Sequence, residues 1–202
     1  MKKLMIIGAG GHGSVVADAA AKSGYQEIAF LDDGGKDSCL GYPVVGKTAD
    51  AEKYADCDFF VAIGNAKTRE KVVEQLTEKG LNVVNIIHSS AIVAKGVTIG
   101  KGVLLAAGAV VNPNATLGDG VIVNTTASVD HDDVIGKYAH VSVGVHLAGE
   151  VSVGAYTWVG MGAVISNGVK VCAECLIGAG ATVVKDITEK GTYVGVPARK
   201  IK

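Results

Sequence analysis

Asp130-His131-Asp132-Asp133 places one imidazole among three carboxylates. An imidazole titrates near pH 6.5, so it can take a proton from a nucleophile at neutral pH. A carboxylate beside it favours the imidazolium and raises its basicity. Two readings are open for His131: a general base, or an ordinary histidine on a solvated acidic corner. His140 and His146 each precede an aliphatic residue by one place and are expected to face outward. Three outward histidines are the raw material of a zinc site, but the flanking carboxylates suit a base at least as well, and no metal is expected. Cys172-x-x-Cys175 has no second pair and no nearby histidine to complete a ligand set, and reads as two small packing or turn residues.

A second constellation lies near the N-terminus. Gly8-Ala9-Gly10-Gly11-His12-Gly13 has the GxGxxG spacing between an apolar run and a helical stretch. Backbone N–H groups at the start of such a helix suit a phosphate. Asp32 stands at the end of the next apolar run, where a ribose-binding acid belongs. On this signal alone an NAD-binding module is a fair reading. The segment is nevertheless short for a full dinucleotide fold.

These groups need elements to position them, and the chain has two halves of different period. Residues 1–88 alternate strands and helices. Expected strands are Lys3–Ile7, Ile28–Leu31, Phe59–Ile63 and Asn82–Ile87. Expected helices are Ser14–Ser23, capped by Ser14, and Ala66–Lys79, closed by Gly80. That order predicts a small parallel, Rossmann-like sheet. From about Ala91 the period becomes six. Val, Ile or Leu fills every sixth position from Val93 to Val183 without a break. The place two before each is mostly Ala or Val, with Asp133 and Thr157 as polar exceptions, and the place after is often Gly or Asn. A strict period of six excludes a helix and predicts a β-solenoid of hexapeptides, three to a coil and about five coils. Gly or Asn after each aliphatic is expected to supply the φ > 0 of the corner.

Composition narrows the classes further. Of 202 residues, 49% are hydrophobic and 19% charged, which excludes a disordered chain. The net charge of −1 offers no basic excess for a phosphate backbone, so nucleic acid is not an expected partner. Lys2-Lys3 begins like a signal peptide, but the apolar run stops at Gly8. No membrane span is expected, and four cysteines in a chain this long suit a reduced, cytoplasmic protein.

The hexapeptide run, with Gly178–Asp186 and Gly195-Val196-Pro197-Ala198-Arg199 at its end, resembles the left-handed β-helix acyltransferases. With the glycine loop and Val129–Asp132 added, the whole chain resembles the bacterial sugar acetyltransferases. These include nucleotide-aminosugar N-acetyltransferases of protein glycosylation and sialic-acid O-acetyltransferases. The resemblance implies an α/β Rossmann-like domain over 1–88 that binds the nucleotide-linked sugar. It also implies an all-β left-handed parallel β-helix over 89–202 that carries acetyl transfer and ends in a C-terminal extension. By the same resemblance His131 is the base, Asp132 orients it, and Asn124 stands near it. His140 would hold the acetyl oxygen of acetyl-CoA, the co-substrate, with Met161 and Ala179 along the CoA. Gly10, Gly11 and His12 would approach the phosphates, Asp32 and Asp33 the sugar or base, and Gly64 and Asn65 the same cleft. Trp158 would cover a neighbouring subunit or line the CoA groove. The assembly implied is a homotrimer. The acceptor expected is the amine of a UDP-linked amino-dideoxy sugar; O-acetylation is the runner-up. An NAD-binding module and a β-helical zinc hydratase are the distant alternatives.

Overall fold

The computed structural model describes residues 2–202. The chain divides into two compact units, Met1–Ser89 and Ser90–Lys202.

The first unit contains β1 (Lys3–Ile7), α1 (Gly11–Lys22), β2 (Glu27–Leu31), β3 (Ser38–Cys39), β4 (Tyr42–Gly46), a 3-10 segment (Thr48–Tyr54), β5 (Asp58–Val61), α2 (Ala66–Glu78) and β6 (Asn82–Val83). The sheet order is β3-β4-β2-β1-β5-β6. Its pairings are parallel except β3 with β4. β1 is central, and Leu4 to Ile7 are buried, as a strand covered on both faces requires. α1 buries Val16, Ala17, Ala19 and Ala20, at helical spacing.

Three expectations need correction. The first helix begins at Gly11, not Ser14, and its N-cap is Gly10. Ser14 N already donates to Gly10 O at 3.1 Å, so Ser14 lies inside the helix. The run Asn82–Ile87 is two short strands, Asn82–Val83 and Ile86–Ile87, rather than one. Finally, the β3–β4 hairpin was not expected. Its turn residues Leu40 and Gly41 both have positive φ (51° and 78°), the geometry of a type I′ turn. Leucine in the first place hides that signal.

In the second unit, two-residue strands recur at every hexapeptide from Ile92–Val93 to Thr182–Val183. Each pairs in parallel with the strand three hexapeptides on: Val111 with Val129, Leu117 with Ile135, Val123 with Val141. Three hexapeptides therefore make one coil of a parallel β-helix with three sheets as faces. From Leu105 to Val183 the periodic aliphatics are buried. Each contributes about 1.5–3 kcal/mol of gross burial. In the first coil Val93 is still 40% exposed. Thr192–Val194 pairs with Leu176–Ile177, and Arg199–Lys200 folds back on it antiparallel, extending this face at its C-terminal end.

The corner chemistry also departs from expectation. Positive φ falls at the third place after the aliphatic, at Gly108, Asn114, Thr126, Asp132, Tyr138 and Glu150 among others. It does not fall on the residue directly after it. Glycine there answers to space instead. A Cβ on Gly118 would come within 2.7 Å of Lys137 N, and one on Gly136 within 2.9 Å of Ala155 Cα. The coils stack too closely at that place for a side chain.

Among the described residues no helix is long and apolar enough to cross a membrane.

Candidate active site

His131 and Asp132 form the middle of one corner, between the strands Ser128–Val129 and Val134–Ile135. His131 Nδ1 lies 2.9 Å from Asp132 Oδ2. A carboxylate only accepts, so Nδ1 carries the proton and Nε2 keeps its lone pair. Nε2 makes no hydrogen bond within the described residues. The hydrogen bond to Asp132 raises the imidazole pKa above 6.5, with Asp130 and Glu150 adding to the shift. The same bond, with one from Asn114, holds the Asp132 carboxyl below its ordinary range.

The corner is braced from the coils on either side. Asn114 Nδ2 donates to Asp132 Oδ1 at 3.2 Å. Asn112 Nδ2 donates to Asp130 Oδ1 at 2.7 Å, and that same oxygen accepts His131 N. Asp133, fully buried, accepts Asp130 N at 2.8 Å and Val151 N at 2.7 Å. Burial pushes its carboxyl up to about 7 against the pull of those two amides. The polar exception at this place in the repeat is thus a clamp beneath the histidine.

Asn124 belongs to a different group. Its Oδ1 accepts Thr125 N at 2.8 Å, which fixes the amide so that Nδ2 faces His140 Nε2 at 3.0 Å. His140 Nε2 therefore accepts, and its proton sits on Nδ1. His140 was expected to face outward. It lies on the outer side of its strand but is only 8% exposed, with the Trp158 ring 4.8 Å from its own. Asn124, His140, Ser142, Trp158, Met161 and Ala179 line one cavity of about 490 Å³. Val143 and Leu176 add apolar wall, and Gly160 and Gly178 line it where the coils stack too closely for a side chain. Ser142 Oγ is buried and has no hydrogen-bond partner among the described residues. This cavity can take a long, mostly apolar ligand with polar groups at fixed places. His131 is not among its lining residues. His146 pairs with Ser128 Oγ at 2.8 Å, so the three histidines enter three separate networks. Among the described residues no group of three His, Cys, Asp or Glu side chains is placed to hold a metal ion.

In the first unit the glycine loop runs from β1 into α1. Gly8 has φ +104°, and a Cβ on it would sit 3.0 Å from Ala62 O. A Cβ on Gly13 would strike Gly8 O, so this glycine allows close helix–strand packing. Gly10 and Gly11 face open space at the helix N-terminus. His12 is half-buried, and burial together with the nearby Arg69 guanidinium lowers its pKa to about 4. Asp32 spends both oxygens on the loops: Oδ2 accepts Ala9 N and Oδ1 accepts Gly34 N, each at 2.8 Å. Asp33 accepts Thr48 N at 3.1 Å. Asn65 is the N-cap of α2 and accepts Thr68 N. Arg69, fully buried, donates to Ile63 O and Gly64 O and fixes the loop before that cap. Lys36 Nζ donates to Ala9 O at 3.0 Å, which brings a cation to the glycine loop.

Residues 3–76 match the family model of the PglD N-terminal domain. The UDP-N-acetylbacillosamine N-acetyltransferase of Bacillus subtilis (strain 168) is 36% identical over 114 residues, 53% of this chain and 52% of that protein. The match thus spans about half of that curated relative. Two solved structures align over the whole chain. The acetyltransferase domain of PglB from Neisseria gonorrhoeae FA1090 is 40% identical, with TM-score 0.96 and full coverage of both chains. PerB from Caulobacter crescentus, in complex with CoA and GDP-perosamine, is 36% identical, with TM-score 0.93 and 98% of its chain covered.

The chain belongs to the sugar N-acetyltransferase family.

Family membership makes the solenoid a left-handed parallel β-helix preceded by an α/β unit, as the hexapeptide run and the resemblance implied. Within this family member, sequence reasoning missed Asn112, Asn114, Ser142 and Lys36. For the two asparagines a signal was present: each stands one full coil before the aspartate it holds. Ser142 had none, since its neighbours come from strands one and two coils away.

Proposed function

We propose that the protein transfers the acetyl group of acetyl-CoA to the amine of a nucleotide-linked amino sugar. The observation that carries this reading is the His131–Asp132 pair, with Nδ1 tied to the carboxylate and Nε2 left basic. The relatives supply the reactants. The Neisseria domain has been solved in complex with acetyl coenzyme A, and the Caulobacter protein with CoA and GDP-perosamine.

In this reading the cavity along Asn124, His140, Ser142, Trp158, Met161 and Ala179 takes the acyl-bearing arm of acetyl-CoA. The sugar amine attacks the thioester carbonyl carbon and a C–N bond forms. His131 Nε2 takes a proton from that nitrogen. The carbonyl oxygen gains charge, and His140 donates to it through Nδ1–H. The C–S bond then breaks, the CoA thiolate leaves, and the proton from the imidazolium returns to it. Asp132 keeps the ring in the right tautomer throughout. The residues 1–88 take the nucleotide, with Gly10, Gly11, His12 and Lys36 toward its phosphates. Asp32 and Asn65, already spent on backbone amides, shape that site more than they contact ligand. We further assign the protein to the cytoplasm, in keeping with its free thiols, and to a homotrimer.

The test mixes the protein with acetyl-CoA and UDP- or GDP-linked 4-amino sugars and follows release of the CoA thiol. His131→Ala is expected to lower kcat by about 10²- to 10⁴-fold while acetyl-CoA still raises the melting temperature. Full kcat in that variant overturns the role of His131. A product that resists hydroxylamine is an amide; one that is cleaved is an ester and overturns N-acetylation.

A further inference from the structure

Gly149 stands one full coil after His131, at the same place in the corner of the next coil. From Lys95 to Ala179 that place is filled by a residue with a side chain in every other corner; Gly149 is its one glycine. Backbone conformation does not demand it. The residues with positive φ in these corners stand one place later, at Asp132 and Glu150. Ala107, Ala155 and Ala173 show that a methyl group fits the same corner elsewhere. What sets Gly149 apart is the imidazole above it. A Cβ built on Gly149 would collide with His131 Nε2 and Cε1 and would come within 2.9 Å of Cδ2. Gly149 is otherwise an ordinary corner residue, with its carbonyl accepting Gly168 N at 3.0 Å. Next to it, Glu150 N donates to His131 O at 2.9 Å, so the two corners are stacked in register.

We propose that Gly149 is a positioning residue: its bare Cα is the seat on which the His131 ring rests, so that Nδ1 meets Asp132 and Nε2 is held at a fixed place. This rests on His131 being the base. Any side chain at 149 evicts the ring. The ring is the yielding partner, because it is a half-exposed side chain and the corner beneath is backbone. The fold therefore survives and the base loses its place. A misplacement of about 1 Å can lower a rate by about 10²-fold. The charged groups facing the ring are Asp130 and Asp132 on its own turn and Glu150 on the next coil. Of these, the Asp132 hydrogen bond has the largest effect, and it breaks when the ring swings away.

The experiment compares Gly149→Ala, His131→Ala and the double variant in the full-length protein with acetyl-CoA and a GDP- or UDP-linked amino sugar. Gly149→Ala is expected to lose about 10²-fold in kcat with KM for both substrates within about threefold. The acid limb of its pH–kcat profile should move to lower pH, toward an unassisted imidazole. In the His131→Ala background the same change should cost nothing further in rate. A Gly149→Ala variant with full kcat and an unmoved acid limb overturns the proposal. So does an equal loss in both backgrounds. If Gly149→Ala does not fold, the double variant should, since the ring that clashes is gone; failure of both to fold overturns the seat. Wild-type activity in His131→Ala alone would instead remove the base reading, a separate outcome.

Discussion

His131 gains its chemistry from partners on its own corner and on the coils before and after it. Asp132 fixes its tautomer, Asn114 fixes Asp132, and Gly149 leaves it room. The base must be neutral to act, and its pKa is raised above 6.5. Activity should therefore fall as pH drops through a midpoint above that value. Asp132→Asn removes the negative charge that favours the imidazolium and should move the acid limb of kcat/KM to lower pH while lowering its plateau. A pH–rate profile of both proteins checks this; a limb that stays put means another group controls the rate. The histidine itself was legible from three adjacent carboxylates and a resemblance. Its support was not, because hydrogen bonds across coils join residues far apart in the chain. Asn124 shows the same limit. Though close to His131 in the chain, it is bonded to His140 instead.

The corners of the second unit are closed by hydrogen bonds. In most corners the last residue's N–H bonds to the first residue's carbonyl, as Ala127 N does to Asn124 O at 3.0 Å. The corner from Cys172 to Cys175 is bridged by Thr157 from the coil before. Its Oγ1 donates to Cys172 O at 3.0 Å and accepts Cys175 N at 3.2 Å. Thr157→Val keeps the shape and strands a buried donor and acceptor, and should cost about 1–3 kcal/mol. Urea denaturation measures that loss. A change under about 0.5 kcal/mol would mean that the corner closes its own bond once the hydroxyl is gone. Periodicity predicted where corners fall, because burial sets the period. It misplaced the left-handed residue within them, because Gly and Asn serve two needs, φ > 0 and close stacking. Only coordinates separate the two. In the α/β unit the central strands were legible from apolar runs. The β3–β4 hairpin was not, since its polar edge lacks alternation.

At the scale of the whole molecule, the proposed trimer is open to direct test. Sedimentation equilibrium should return a particle three times the 20.5 kDa chain. A monomer at micromolar concentration would require every transfer residue to come from a single chain. The two solved relatives align over both units of the chain.

The pairing of every strand with the one three hexapeptides on makes the second unit a ruler. Each coil advances the stack by about 4.8 Å, the spacing of neighbouring strands. Chain length in such a body is quantised. A loss or gain of three whole hexapeptides returns every later side chain to its own face, whereas a gain of a single residue turns core outward. Genetic drift in length is thus filtered into whole steps. A vertical column such as Pro113, His131, Gly149 and Asn167 keeps its alignment through each permitted step.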